Sequence, residues 1–431
     1  MMRRVLRAVL ALLCLGLVVG LLTGAGCNED SNGSTEQGEP PEAERTVETS
    51  VDDVALLASA ERAFAFDLYR EVRAEPGNLF FSPYSVSAAL SMTLVGARGE
   101  TASQIAEALR FTFDSSRAHE AFRDLNEMVN GRGRLAEPYE GEGFSFHVVN
   151  AAWAQGGYRL LEAFVETLTK GYGAGLRALD FEADPNGARK VINDWVSEET
   201  AQRILDLIPE GAIDAETKLV LTNAIYFNAP WLQPFDLTAT TEESFTLLDG
   251  ETVAVSMMHA TESLPYATWA GGVAFELPYN GNELSMVVLV PDEGTFDSFD
   301  ASLTSEVFDG IVASLAPRSI ALGLPKFEFT YAASLVDPLI RLGMTDAFDA
   351  DRADFSGITG APDLFVSDVL HKAFVSVDEA GTEAAAATAV LFRATGIPAE
   401  PLAVTVDRPF LFVIRDRPTG SVLFVGRVVS P

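Results

Sequence analysis

The sequence predicts an α+β fold with large antiparallel or mixed sheets. Three observations carry this. Apolar residues recur at helical spacing early in the chain, runs rich in Val, Phe and Leu dominate later, and no internal repeat divides it. Residues 55–72 place Leu56, Ala60, Ala63, Phe64 and Leu68 at the spacing of one helix face. Pro76-Gly77-Asn78 reads as a turn. Ser82-Pro83 opens a second helix, with the serine as N-cap and the proline at the first helical position, where it has no N–H bond to lose. Residues 101–109 form a third, short and amphipathic helix. Residues 188–207 form a longer one, with Val191, Trp195 and Ile204 on one side. Strands are predicted at 219–227, 273–277, 284–290, 320–329, 402–414 and 421–428, the last two joined by a turn through Pro418-Thr419-Gly420.

The chain has 431 residues, 48% of them hydrophobic, which suits a large core and excludes a disordered chain. Its formal net charge of −32 argues against nucleic acid, heparin-like polyanions and anionic membrane surfaces as partners. A phosphate-binding face needs clustered Lys and Arg. Cys14 and Cys27 are the only cysteines, so the body of the chain has no disulfide framework and no thiol nucleophile.

The first residues read as an address. Arg3, Arg4 and Arg7 precede an apolar run over 8–22, and small residues follow, the pattern of a secretory signal peptide over 1–26. The run is shorter than the roughly 20 residues that span a bilayer. Gly24-Ala25-Gly26-Cys27 resembles a bacterial lipobox, with Gly24 where an aliphatic residue is usual. It makes Cys27 the lipidation site; ordinary cleavage near Ala25 or Gly26 is the alternative. Residues 27–50 are rich in Ser, Glu, Gly and Pro and read as a flexible acidic tether to one domain over 51–431.

Enzyme chemistry finds no support. His119, His147, His259 and His371 fall in no zinc-binding spacing, no G-x-S-x-G elbow or P-loop occurs, and Gly171 to Gly175 reads as a turn. No cofactor or metal is expected. A binding or inhibitory role gains weight by elimination.

The informative segment is 378–401, DEAGTEAAAATAVLFRATGIPAEP. At period two, Thr382, Ala384, Ala386, Thr388, Val390 and Phe392 share one uncharged face. Glu383, Ala385, Ala387 and Arg393 fall on the other. Such a segment can be an exposed loop or a strand, which makes it a candidate switch.

Here the sequence resembles the serpin family. The stretch Glu379-Ala380-Gly381-Thr382-Glu383-Ala384-Ala385-Ala386-Ala387-Thr388 matches the hinge of inhibitory members. Residues 404–414, VTVDRPFLFVI, fit the family's C-terminal signature. Further matches are 78–85 (NLFFSPYS), 221–227 (LTNAIYF) with Trp231, 324–327 (LPKF) and 371–374 (HKAF), in the family's order. The resemblance implies a serpin fold of three β-sheets and eight to nine helices, with an exposed reactive-centre loop near 379–401. It implies a suicide inhibitor of a serine protease, expected as a monomer, and the signal-peptide and lipobox pattern adds export to a bacterial cell envelope. The family's spacing from Glu379 puts the scissile bond between Thr395 and Gly396, with Arg393 and Ala394 as rivals. Thr395 suits elastase-like or subtilisin-like targets, and Arg393 suits trypsin-like ones. Ser82, Ser85, Asn223 and His371 should form a polar cluster beneath the central sheet. Trp231, Lys326 and Glu379 should line the point where the hinge inserts, with Lys326 and Glu379 as an ion pair. The alternative is a non-inhibitory serpin acting as a binding protein or chaperone.

Overall fold

The helix expected at 55–72 runs Val51–Val72 and turns Leu57, Phe64, Leu68 and Tyr69 fully inward. In the computed structural model that carries these observations, residues 51–133, 145–157, 159–382 and 400–431 are described, with the backbone alone at 51, 147–149, 223 and 224. The signal peptide expected over 1–26, Cys27 and the tether expected over 27–50 fall outside them. So do Glu383, Ala384, Ala385, Ala386, Ala387, Thr388, Arg393, Ala394, Thr395 and Gly396.

Ser82 caps the next helix, Pro83–Gly96, its Oγ accepting from the Ser85 N–H at 3.0 Å. That helix is buried on nearly every side and so carries little amphipathic signal. The third helix is Gly99–Ala108. The helix expected at 188–207 is instead Pro185–Glu199. It stops because Ala201 and Gln202 take left-handed backbone conformations, with φ of 47° and 62°. Val191 is 47% exposed, while Ala188, Ile192, Trp195 and Val196 face the sheet and Ile204 joins them from the loop beyond. Ten α-helices occur among the described residues rather than eight to nine. The two shortest are Val336–Arg341 and Ser356–Thr359.

The strands form hydrogen-bonded ladders of nine and six. The six-stranded ladder runs Phe327–Ser334, Leu370–Val377, Gly381–Thr382, Leu219–Pro230, Ser145–Gln155, Gly175–Leu179. The nine-stranded ladder is two sheets sharing one strand. Thr252–Trp269 pairs with Thr241–Thr246 and Ala316–Pro325 along most of its length, and with Gly272–Pro278 only from Tyr266 onward. Divided there, the molecule has the expected three sheets.

Two expected strands are broken. Residues 320–329 split at Lys326 into Ala316–Pro325 and Phe327–Ser334, which belong to different ladders. Residues 402–414 split into the edge strand Leu402–Thr405 and the central strand Phe410–Asp416. Phe410–Asp416 lies between Leu284–Pro291 and Val422–Val428. Its residues Phe410 to Ile414 have no exposed surface. Phe80 stacks on both Phe412 and Phe424, at 5.7 and 5.0 Å, and ties the strand Leu79–Phe81 to this centre.

Candidate functional site

The described part of the six-stranded sheet has an opening. Among the described residues, Leu370–Val377 and Leu219–Pro230 are joined only through the two residues Gly381 and Thr382. Thr382 lies opposite Val377 on one side and Ala229 on the other. Past Thr382 a narrow cleft continues between the two strands among the described residues. Ile225, Tyr226 and Phe227 line one wall and Ala373 and Phe374 the other, with Phe80 and Phe424 beside them. The backbone edges bordering the opening can take another strand.

Local chemistry holds the first two rungs. Asp378 makes an Asx turn, its Oδ1 accepting from the N–H groups of Ala380 and Gly381 at 2.8 and 3.2 Å. The indole of Trp231 donates to the Asp378 carbonyl at 3.0 Å, and the Trp231 backbone N–H donates to that of Ala380 at 2.9 Å. Gly381 must be glycine, because a Cβ there would stand 2.2 Å from the Ala229 carbonyl oxygen. Thr382 is 2% exposed, so its inward face is the one the period-two pattern marked.

Glu379 anchors the turn. Lys326 Nζ lies 2.7 Å from its Oε2, and Thr240 donates to its Oε1 at 2.7 Å. Burial alone would raise the Glu379 carboxyl, but these two donors overcome it and hold it below its ordinary range. The Lys326–Glu379 pair expected from sequence is therefore present, with Trp231 beside it. Trp231 stacks on Tyr279 at 4.7 Å and 10°.

The polar cluster lies at the other end of the opening. The Ser82 N–H donates to His371 Nε2 at 3.2 Å, which makes the buried imidazole a neutral acceptor. Burial pushes His371 down to about 4. Phe81 packs edge-on against its ring. Ser82, Ser85 and His371 are all buried here. The backbone places Asn223 opposite Asn150, and its side chain is outside the described residues.

The structure adds three residues to the site. Tyr279 donates to or accepts from Thr382 Oγ1 at 2.8 Å, Thr240 holds Glu379, and Asp378 forms the turn. Only Asp378 carried a readable signal, an Asp ahead of small residues at a strand end. Among the described residues no group of three His, Cys, Asp or Glu side chains could hold a metal ion.

Among the described residues, the class defined is a mixed helix and sheet protein whose six-stranded ladder is bridged at one place by a two-residue strand. The chain matches the family model described as Serpin (serine protease inhibitor) over residues 59–431, and it belongs to the serpin family. It is 36% identical over 433 residues to an uncharacterized serpin-like protein of Thermococcus kodakarensis, covering 99% of each chain. It is 39% identical over 387 residues to the leukocyte elastase inhibitor of Bos taurus, covering 87% of this chain and 99% of that one. The crystal structure of the thermophilic serpin tengpin in the native state matches with a TM-score of 0.77 at 30% identity, covering 89% of this chain and 95% of tengpin.

Proposed function

We propose that this chain is an exported suicide inhibitor of serine proteases. The protease serine oxygen attacks the Thr395 carbonyl, the Gly396 amine leaves with a proton, and the acyl-enzyme ester remains. The cut loop then enters the sheet between Leu370–Val377 and Leu219–Pro230, carrying the bound protease with it.

The observation that carries this reading is the seated pair Gly381–Thr382 with an open cleft ahead of it. Continuing both registers places Ala384 between Val375 and Phe227, and Ala386 between Ala373 and Ile225. It would put Thr388 between His371 and Asn223, and Phe392 opposite Leu219, the first residue of its strand. Those inward positions face Val375, Ala373, Phe227 and Ile225, all buried, where a charge would be costly. The hinge offers only small residues there until Val390.

Thr395 favours small-pocket proteases, and the likeness to elastase inhibitors supports an elastase-like target. Arg393 makes a trypsin-like protease the rival. No polyanion activator is expected: Arg117 and Arg123 on the helix Ser115–Asn130 are engaged with Asp53 and Asp124. Export rests on the signal peptide over 1–26, with Cys27 as lipid anchor.

The test is incubation with elastase, subtilisin and trypsin. A denaturant-resistant covalent complex with one of them, and a released fragment beginning at Gly396 by mass, is the expected result. Cleavage without a complex for all three refutes inhibition and leaves the binding or chaperone reading.

A further inference from the structure

Tyr279 belongs to no long ladder; a single bridge joins it to Trp231. Its position is nonetheless fixed from several sides. The Asn280 N–H donates to the Pro230 carbonyl at 2.8 Å, and the Leu232 N–H to the Pro278 carbonyl at 2.9 Å. Trp231 stacks on its ring, and Phe227 meets the ring edge-on at 5.0 Å and 81°. The side chain has no exposed surface.

A phenol hydroxyl so deep in an apolar site needs a polar partner. It finds Thr382 Oγ1, at 2.8 Å. The need is mutual, because Thr382 points into the same interior with 2% exposure. Resting on the inhibitory reading above, we propose that Tyr279 is a positioning residue for loop insertion. Its hydroxyl holds Thr382 in the first rung, so insertion starts from a seated hinge in one register. A slip of one residue would present Glu383 to Tyr279 and turn the charged face inward. The hydroxyl pair therefore selects the face as well as the seat.

The test is a double-mutant cycle of Tyr279→Phe and Thr382→Val in the full chain, read first by amide hydrogen exchange without any protease. Each single variant leaves one buried hydroxyl unpaired and should speed exchange across 379–382 by about tenfold. The double variant replaces both hydroxyls with apolar shape and should return exchange close to wild type. General loosening would instead speed exchange throughout 278–284 and give no rescue. The second readout is the number of inhibitor molecules consumed per protease trapped. It should rise several-fold in each single variant and fall back in the double. Wild-type exchange over 379–382 in Tyr279→Phe, or no rescue in the double, overturns the proposal. If the exchange cycle holds and wild type traps no protease, the inhibitory reading falls and the Tyr279 latch stands.

Discussion

Cutting the loop should raise the melting temperature sharply. The perturbation is a single nick within 390–398, made by subtilisin or elastase and followed by removal of the protease. Thr382 is already paired, and the register ends at Phe392 opposite Leu219. Insertion therefore adds roughly ten residues, and at about 1 kcal/mol net for each added hydrogen bond the gain is on the order of 10 kcal/mol. Burial of Val390 and Phe392 adds to this. Unfolding entropy near 2.1 cal/mol/K per residue gives about 0.8 kcal/mol/K for a body of about 380 residues. The gain then corresponds to a rise on the order of 10 °C. Differential scanning calorimetry before and after nicking, with the two fragments kept together, reads it directly. A melting temperature that stays within about 2 °C would refute both the register and the stored free energy.

Other substitutions probe the same frame. Thr382→Arg would place a guanidinium between buried Val377 and Ala229, at a cost of several kcal/mol. It should convert the chain from inhibitor to substrate, and persistent one-to-one trapping on a denaturing gel would contradict this. Gly381→Ala should unseat the hinge through its clash with the Ala229 carbonyl, seen as faster amide exchange at 381–382 with the rest of the sheet unchanged. Glu61 is fully buried, accepts from Ser421 at 2.8 Å, and burial pushes its carboxyl up to about 8. The folded chain holds that proton up to about pH 8, while the unfolded chain loses it near 4.5. Stability from this group is thus full below about pH 4.5 and declines as pH rises to about 8. Glu61→Gln should remove that slope and stabilise the chain at pH 7 by roughly 3 kcal/mol in urea melts. His371 has the opposite sense, being a base held down to about 4. Its contribution is full above about pH 6.5 and is lost as pH falls toward 4. Acid unfolding of His371→Gln should take up about one proton fewer over that range.

Of the period-two face only Thr382 lies among the described residues, and its inward turn was legible because the alternation is local and holds whatever the tertiary setting. Ser82 as N-cap was legible for the same reason, since capping is decided within three residues. Tyr279 and Thr240 were not. Each meets its partner across a long stretch of chain, and neither sits in a run that sets it apart. Lys326 misled the strand reading because apolar alternation continues across it while the backbone changes sheets. The helix over 185–199 was overextended for a similar reason. Ile204 keeps the apolar spacing but reaches the same small core from a loop, after Ala201 and Gln202 have turned the chain.

The placement of Phe410–Asp416 and Val422–Val428 has a consequence for biogenesis. These late strands stand between Leu79–Phe81 at one edge of the larger ladder and Leu284–Pro291, and Leu79–Phe81 pairs across the chain with Val425 to Arg427. Until residue 428 has left the ribosome, Leu79–Phe81 lacks its ladder partner and one edge of Leu284–Pro291 lacks its own. That part of the larger ladder closes only when synthesis is nearly done, a long-range pairing of the kind that folds slowly.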